Sequence, residues 1–202
     1  MTNQNEKRMK KKAVCDSCKH QKCRDGKDCF HLQDMILPEY RGEKLRLTQV
    51  AAGIEAEFYL RKNRLEELIL FAKRMKYQKL GIAFCIGLID EAKILGNFLR
   101  RDFEVVSICC KVSGIDKDQL HLDKMQPETH ESMCNPLGQA TILNRHDTDL
   151  NIICGLCIGH DILFTQQSRA PVTTFIVKDR MLAHNTVASL TCPYLRKRMI
   201  GD

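Results

Sequence analysis

Eleven cysteines among 202 residues are the side chains here best suited to do chemistry, and they fall into two groups. Cys15, Cys18, Cys23 and Cys29 stand close together in VCDSCKHQKCRDGKDCF, interleaved with Lys, Asp and Gly. So polar a segment cannot bury a core. A Cys-x-x-Cys turn, however, brings two thiolates to one ion, and a following pair completes a four-sulfur shell. The spacing predicts a metal-binding knuckle, with His20 and His31 as substitute ligands that four cysteines make unnecessary. The second group is dispersed but recurs in one setting. In GIAFCIGL and ICGLCIGHD an apolar run meets Cys85 or Cys157, and a glycine follows two residues later, before a helical pattern. Cys109 and Cys110 close EVVSICC, and Cys134 stands directly before NPLGQA.

These settings are those of strand ends and helix starts. Leu80–Cys85, Phe103–Cys110, Leu150–Leu156 and Val172–Val177 are short apolar, largely β-branched runs that predict strands, and helical periodicity fills the intervals between them. Strand, helix, strand over about thirty residues is a parallel crossover unit. The expected fold is therefore α/β: an open, mainly parallel four-stranded sheet in the order 2-1-3-4, doubly wound and Rossmann-like, with helices on both faces. Further helices are predicted at Leu45–Leu60, Arg64–Met75 (capped by Asn63), Leu88–Arg100, from Asn135-Pro136 onward, and near Thr186–Leu190. In such sheets the ligand crevice lies beyond the carboxyl ends of the strands. That places Cys85, Cys110, Cys134 and Cys157 around one crevice and predicts a second thiolate centre. Cys110 is preferred over Cys109 because adjacent residues of an extended chain face opposite ways. Cys154, inside its strand, reads as a buried thiol. The charged run Lys178-Asp179-Arg180 reads equally as crevice lining or as a salt-bridged rim, and the long polar connection 112–133 as a functional loop.

The net charge of +7 is concentrated at the ends: residues 1–12 carry five Lys/Arg against Glu6, and Arg196, Lys197 and Arg198 stand near the carboxyl terminus. A nearly neutral body leaves no electrostatic footprint for a nucleic-acid duplex. No apolar run reaches the length of a membrane span, and the first dozen residues hold no signal-like apolar stretch, so the expected setting is cytoplasmic. In a reducing compartment, clustered thiols point to metal ligation or redox chemistry rather than to disulfides. The organisation expected is a basic tail over 1–13, a knuckle over 14–37 and the α/β domain over 38–202.

Taken together, Cys15-x-x-Cys18 with Cys23 and Cys29, GIAFCIGL with EAKIL, EVVSICCK, MCNPLGQA, TDLNIICGLCIGHD and APVTTFIVKDR with HN resemble a family of uncharacterised metal-binding proteins of anaerobic prokaryotes, domain of unknown function 1847. The resemblance covers nearly the whole chain after the basic tail. It implies metal binding and a cytoplasmic setting, and it brings no reaction.

The leading expectation is a protein with two cysteine-ligated centres, each an iron–sulfur cluster or zinc, with a redox or electron-transfer role and a redox partner protein. Thiolate softness suits either metal. Two other classes compete. Gly155-x-Cys157-x-Gly159 has the form of a nucleophile elbow, with Asp179 and His184 following in hydrolase order. The knuckle and basic tail would instead suit a zinc-stabilised nucleic-acid or protein-binding module, though aromatic residues for stacking are sparse there.

Overall fold

A computed structural model describes residues 13–201, so most of the basic tail expected over 1–13 lies outside the described residues. The chain divides into two compact units, one ending at Ala56 and the other beginning at Glu57.

The first unit opens with two short 3-10 turns, Cys15–Ser17 and Lys22–Asp25. The second of these stops where Gly26 takes a φ of +87°. Asp28 then fastens the next segment, its carboxylate accepting the amides of Phe30 at 3.2 Å and Gln33 at 2.8 Å. Helix α1, Gly42–Phe58, begins in this unit.

The second unit is the α/β domain. Its first helix, α2 (Arg64–Met75), starts with a reciprocal cap. Asn63 Oδ1 accepts the amides of Leu65 and Glu66, and Glu66 Oε2 accepts the amide of Asn63. Such a box satisfies orphan donors of the first turn. Leu68, Ala72 and Met75 fall on its buried face. Strand β1 (Lys79–Phe84) follows, then α3 (Ile89–Leu99), β2 (Glu104–Cys109), the long connection, α4 (Pro136–Arg145), β3 (Leu150–Cys154), α5 (His160–Gln167) and β4 (Val172–Ile176). Two last helices, α6 (Ala188–Thr191) and α7 (Pro193–Ile200), complete the chain. Nothing in the sequence reading anticipated α7, which starts with proline at its first position.

All pairings are parallel, in the order β2-β1-β3-β4. The two central strands are buried almost throughout, whereas β2 and β4 at the edges are half-exposed. This is the burial expected of a sheet covered on both faces. Helix α3 packs on β1 and β2, and α4 and α5 pack against each other. The right-handed sense of parallel crossovers puts α3 on one face and the other two on the opposite face.

The apolar runs of β1 and β3 conceal one polar device. Gly81 pairs with Asn151, which is fully buried. Asn151 Oδ1 accepts from Thr148 Oγ1 and its Nδ2 donates to Ser168 Oγ, both at 2.8 Å. At the opening of the same pair, Asp149 Oδ2 accepts the amides of Gln78 at 2.7 Å and Lys79 at 2.8 Å. Strand β3 stops at Cys154, two residues before the expected Leu156, because Gly155 turns to a φ of +70°. A side chain there would meet Leu88 Cδ1 at 1.9 Å, so only glycine fits.

Candidate thiolate site at the carboxyl edge of the sheet

The chain leaves the neighbouring strands β1 and β3 toward opposite faces, which opens a crevice between their loops. Cys85 and Cys110 stand one residue beyond the ends of β1 and β2 and continue the ladder. The Cys85 amide donates to Cys154 O at 3.1 Å, and the Cys110 amide donates to Phe84 O at 2.8 Å. Beneath them lies Gln139 of α4, fully buried, whose Nε2 donates to Phe84 O at 3.1 Å and to Ile108 O at 2.7 Å. Its Oε1 has no partner among the described residues.

The long connection leaves at Cys110 and brings Cys134 back to it. Its own hydrogen bonds hold it in shape: the Asp116 carboxylate accepts the amides of Asp118 and Glu131 and pairs with Lys124 and His130, while Met133 N donates to Ile115 O at 2.8 Å. Asn135 then closes the loop. Its amide donates to Cys110 O at 2.7 Å, and its Oδ1 caps α4 by accepting from Gly138 N at 2.7 Å. The thiols of Cys110 and Cys134 act on one another electrostatically. The neighbouring Cys134, together with burial, pushes the Cys110 thiol up. The same interaction, helped by Lys111 and His160, lowers the Cys134 thiol despite partial burial. Ile86 N donates to Cys110 Sγ at 3.3 Å.

The remaining candidates have different neighbours. Cys85 is buried, and a methyl built on Gly87 would sit 4.0 Å from its sulfur and 3.4 Å from Lys178 Nζ. The lysine thus reaches from the end of β4 over the β1 loop. Cys157 is half-buried in the loop before α5, and its sulfur accepts from Arg180 Nη2 at 2.8 Å. Neither Lys178 nor Arg180 forms an ion pair with a carboxylate of the described residues, so the charged run does not make a salt-bridged rim. Asp179 instead caps its own turn, accepting the amides of Met181 and Leu182. His184 Nδ1 accepts the Asp179 amide at 3.1 Å, so the imidazole is engaged in that turn rather than by Cys157. Cys109 Sγ accepts the amide of Lys111, two residues further on, at 3.5 Å. Cys154 is fully buried, with its thiol pushed up to about 11 by burial, Glu91 and Cys85.

The structure therefore brings the segments of Cys110 and Cys134 together, keeps Cys134 and Cys85 in electrostatic reach of Cys110, and turns Cys157 to Arg180. Lys111, His160 and Gln139 were not singled out in the sequence. Only the position of Gln139, one turn past the Asn-Pro helix start, offered any signal.

In the first unit Cys15, Cys18, Cys23 and Cys29 are all exposed. The amides of Gln21 and His20 lower the Cys18 thiol by hydrogen bonding to its anion. Among the described residues, no group of three or more His, Cys, Asp or Glu is arranged to hold a metal ion.

The family model for a protein of unknown function, DUF1847, matches residues 26–175, a span that includes Cys29 and every cysteine from Cys85 to Cys157. The chain belongs to this family. A relative from Methanocaldococcus jannaschii, described as an uncharacterized protein, is 54% identical to this DUF1847 chain over 188 residues, which are 92% of the chain and 97% of the relative. No solved structure matches. No helix among the described residues is long and apolar enough to cross a membrane.

Proposed function

We propose that this protein binds metal through cysteine thiolates at two centres and serves in redox or electron transfer. One centre is the knuckle, Cys15, Cys18, Cys23 and Cys29; the other is the crevice, Cys85, Cys110, Cys134 and Cys157. The observation that carries the reading is the convergence, beyond the ends of β1 and β2, of the segments that carry Cys85, Cys110 and Cys134, tied by the bonds from Cys85 N to Cys154 O, Cys110 N to Phe84 O and Asn135 N to Cys110 O. Thiols gathered at one crevice give up their protons when they ligate a soft cation.

Tested as a donor set, the crevice fits in part. Cys134 and Cys85 lie in electrostatic reach of Cys110, while Cys157 would have to exchange Arg180 for the metal. Soft thiolates in this number suit an iron–sulfur cluster or zinc. Lys111, Lys178, Arg180 and His160 would offset the negative charge that several thiolates accumulate. When bound, an iron–sulfur cluster would carry electrons, and zinc would hold the loops together.

The test is anaerobic purification followed by elemental analysis and an absorption spectrum. Iron with sulfide and visible absorbance, or stoichiometric zinc, is the expected result. Material that remains free of metal after reconstitution with each of them would sink the reading.

A further inference from the structure

We propose that Cys134 and Cys110 form a thiol–disulfide exchange site, with Cys134 as the attacking sulfur and Cys110 as the resolving one, acting on disulfides of anionic low-molecular-weight thiols. This goes beyond the metal reading, since it uses two of the same thiols and requires no metal.

Three features of the geometry carry it. The backbone bond from Asn135 N to Cys110 O at 2.7 Å holds the two chain segments that carry Cys110 and Cys134 side by side. A bridge needs its two Cα atoms within about 7 Å, a condition that neighbouring backbones joined in this way are placed to meet. The exposures divide the roles: Cys134 is half-buried, whereas Cys110 is 2% exposed, so an incoming disulfide reaches Cys134 first. The surroundings select the substrate class, because Lys178 and Arg180 reach the crevice without carboxylate partners among the described residues, and Lys111 Nζ donates to Ser132 O, two residues before Cys134. Cys109 does not serve as the resolving thiol, as its sulfur is turned to the Lys111 amide.

The steps balance. Cys134 loses its proton to solvent and attacks one sulfur of the substrate disulfide, whose S–S bond breaks. The first thiolate leaves and takes up a proton. Cys110 then gives its proton to solvent and attacks the Cys134 sulfur, which breaks the mixed disulfide and releases the second thiol. The substrate has gained two electrons and two protons, and the two cysteines have been oxidised to one disulfide. Excess thiol runs the sequence backward.

The test uses the full chain, reduced and freed of metal by a chelator, with oxidised glutathione as the probe under anaerobic conditions. Peptide mapping of the product is expected to find Cys110 joined to Cys134, with two glutathione molecules released for each bridge. Cys110→Ser is expected to stop at a glutathione adduct on Cys134, and Cys109→Ser to leave the bridge unchanged. A wild-type map in which Cys134 stays free, or is joined to a cysteine other than Cys110, overturns the proposal without any variant having to fold. Zinc-loaded protein separates the two readings. Bridge formation at an undiminished rate in the presence of bound zinc would place that zinc off the pair and count against the crevice centre alone. Failure of the metal-free chain to form the bridge counts against the exchange site alone.

Discussion

Asn151 Oδ1 occupies the space that a side chain on Gly81 would need: a methyl built on Gly81 would sit 2.1 Å from that oxygen and 2.9 Å from Leu143 Cδ1. The two residues are paired across the central strands, so the buried amide and the glycine are a matched set. Gly81→Ala is expected to destabilise the α/β unit by about 1–3 kcal/mol, the usual cost of overpacking a rigid core. Urea unfolding followed by circular dichroism measures it, and an unchanged midpoint would show that Asn151 moves aside freely.

Gln139 ties the ends of β1 and β2 through two carbonyl oxygens. Its replacement by leucine removes those bonds but also removes the unpartnered Oε1, so the loss is expected to be only about 1 kcal/mol. The clearer effect is expected at the crevice, where Cys110 becomes more accessible. Faster alkylation of Cys110 in Gln139→Leu, read by mass spectrometry, is the check.

Acid should loosen the loop that carries Cys134. Hydrogen bonding from the Asp118 amide first, and then Lys124, holds the Asp116 carboxyl down at about 2. The ordinary value is about 3.9. A depressed carboxyl stabilises the fold above the unfolded value and loses that contribution as pH falls through the folded one. Order in residues 112–133 is therefore expected to decline between about pH 4 and pH 2. Amide exchange at Glu131 tracks it, and Asp116→Asn should flatten the dependence.

Replacing Cys15 and Cys18 with serine is expected to remove the knuckle's share of bound metal and leave the α/β unit folded, because that unit has its own buried core. Elemental analysis beside far-ultraviolet circular dichroism distinguishes the outcomes. Unchanged metal content would exclude the knuckle as a centre.

Much of the fold was legible because periodicity and caps are local. The four strand runs, the Asn63 cap and the Asn135-Pro136 helix start can each be read within a few residues, and the β2-β1-β3-β4 order matches the one taken by analogy with doubly wound folds. The candidate site was legible only as a set of cysteines at strand ends. That Arg180 would contact Cys157, or that Lys178 would cross to Gly87, depends on the exit of β4 turning back over the sheet, which no local pattern encodes. Asn151 was hidden for the opposite reason: its apolar neighbours in LNIIC dominate the strand pattern.

The central position of β1 also bears on how the protein is made. Strand β1 can pair with β2 as soon as the first crossover has emerged from the ribosome, but its other edge waits for β3, some seventy residues further along. During that interval the nascent chain presents the unpaired backbone N–H and C=O groups of β1 as an open edge, a surface prone to join another chain. Cys85, Cys110 and Cys134 are all synthesised before β3 covers that edge. Translational pausing before Leu150 would prolong their exposure, whereas rapid synthesis through β3 buries the edge.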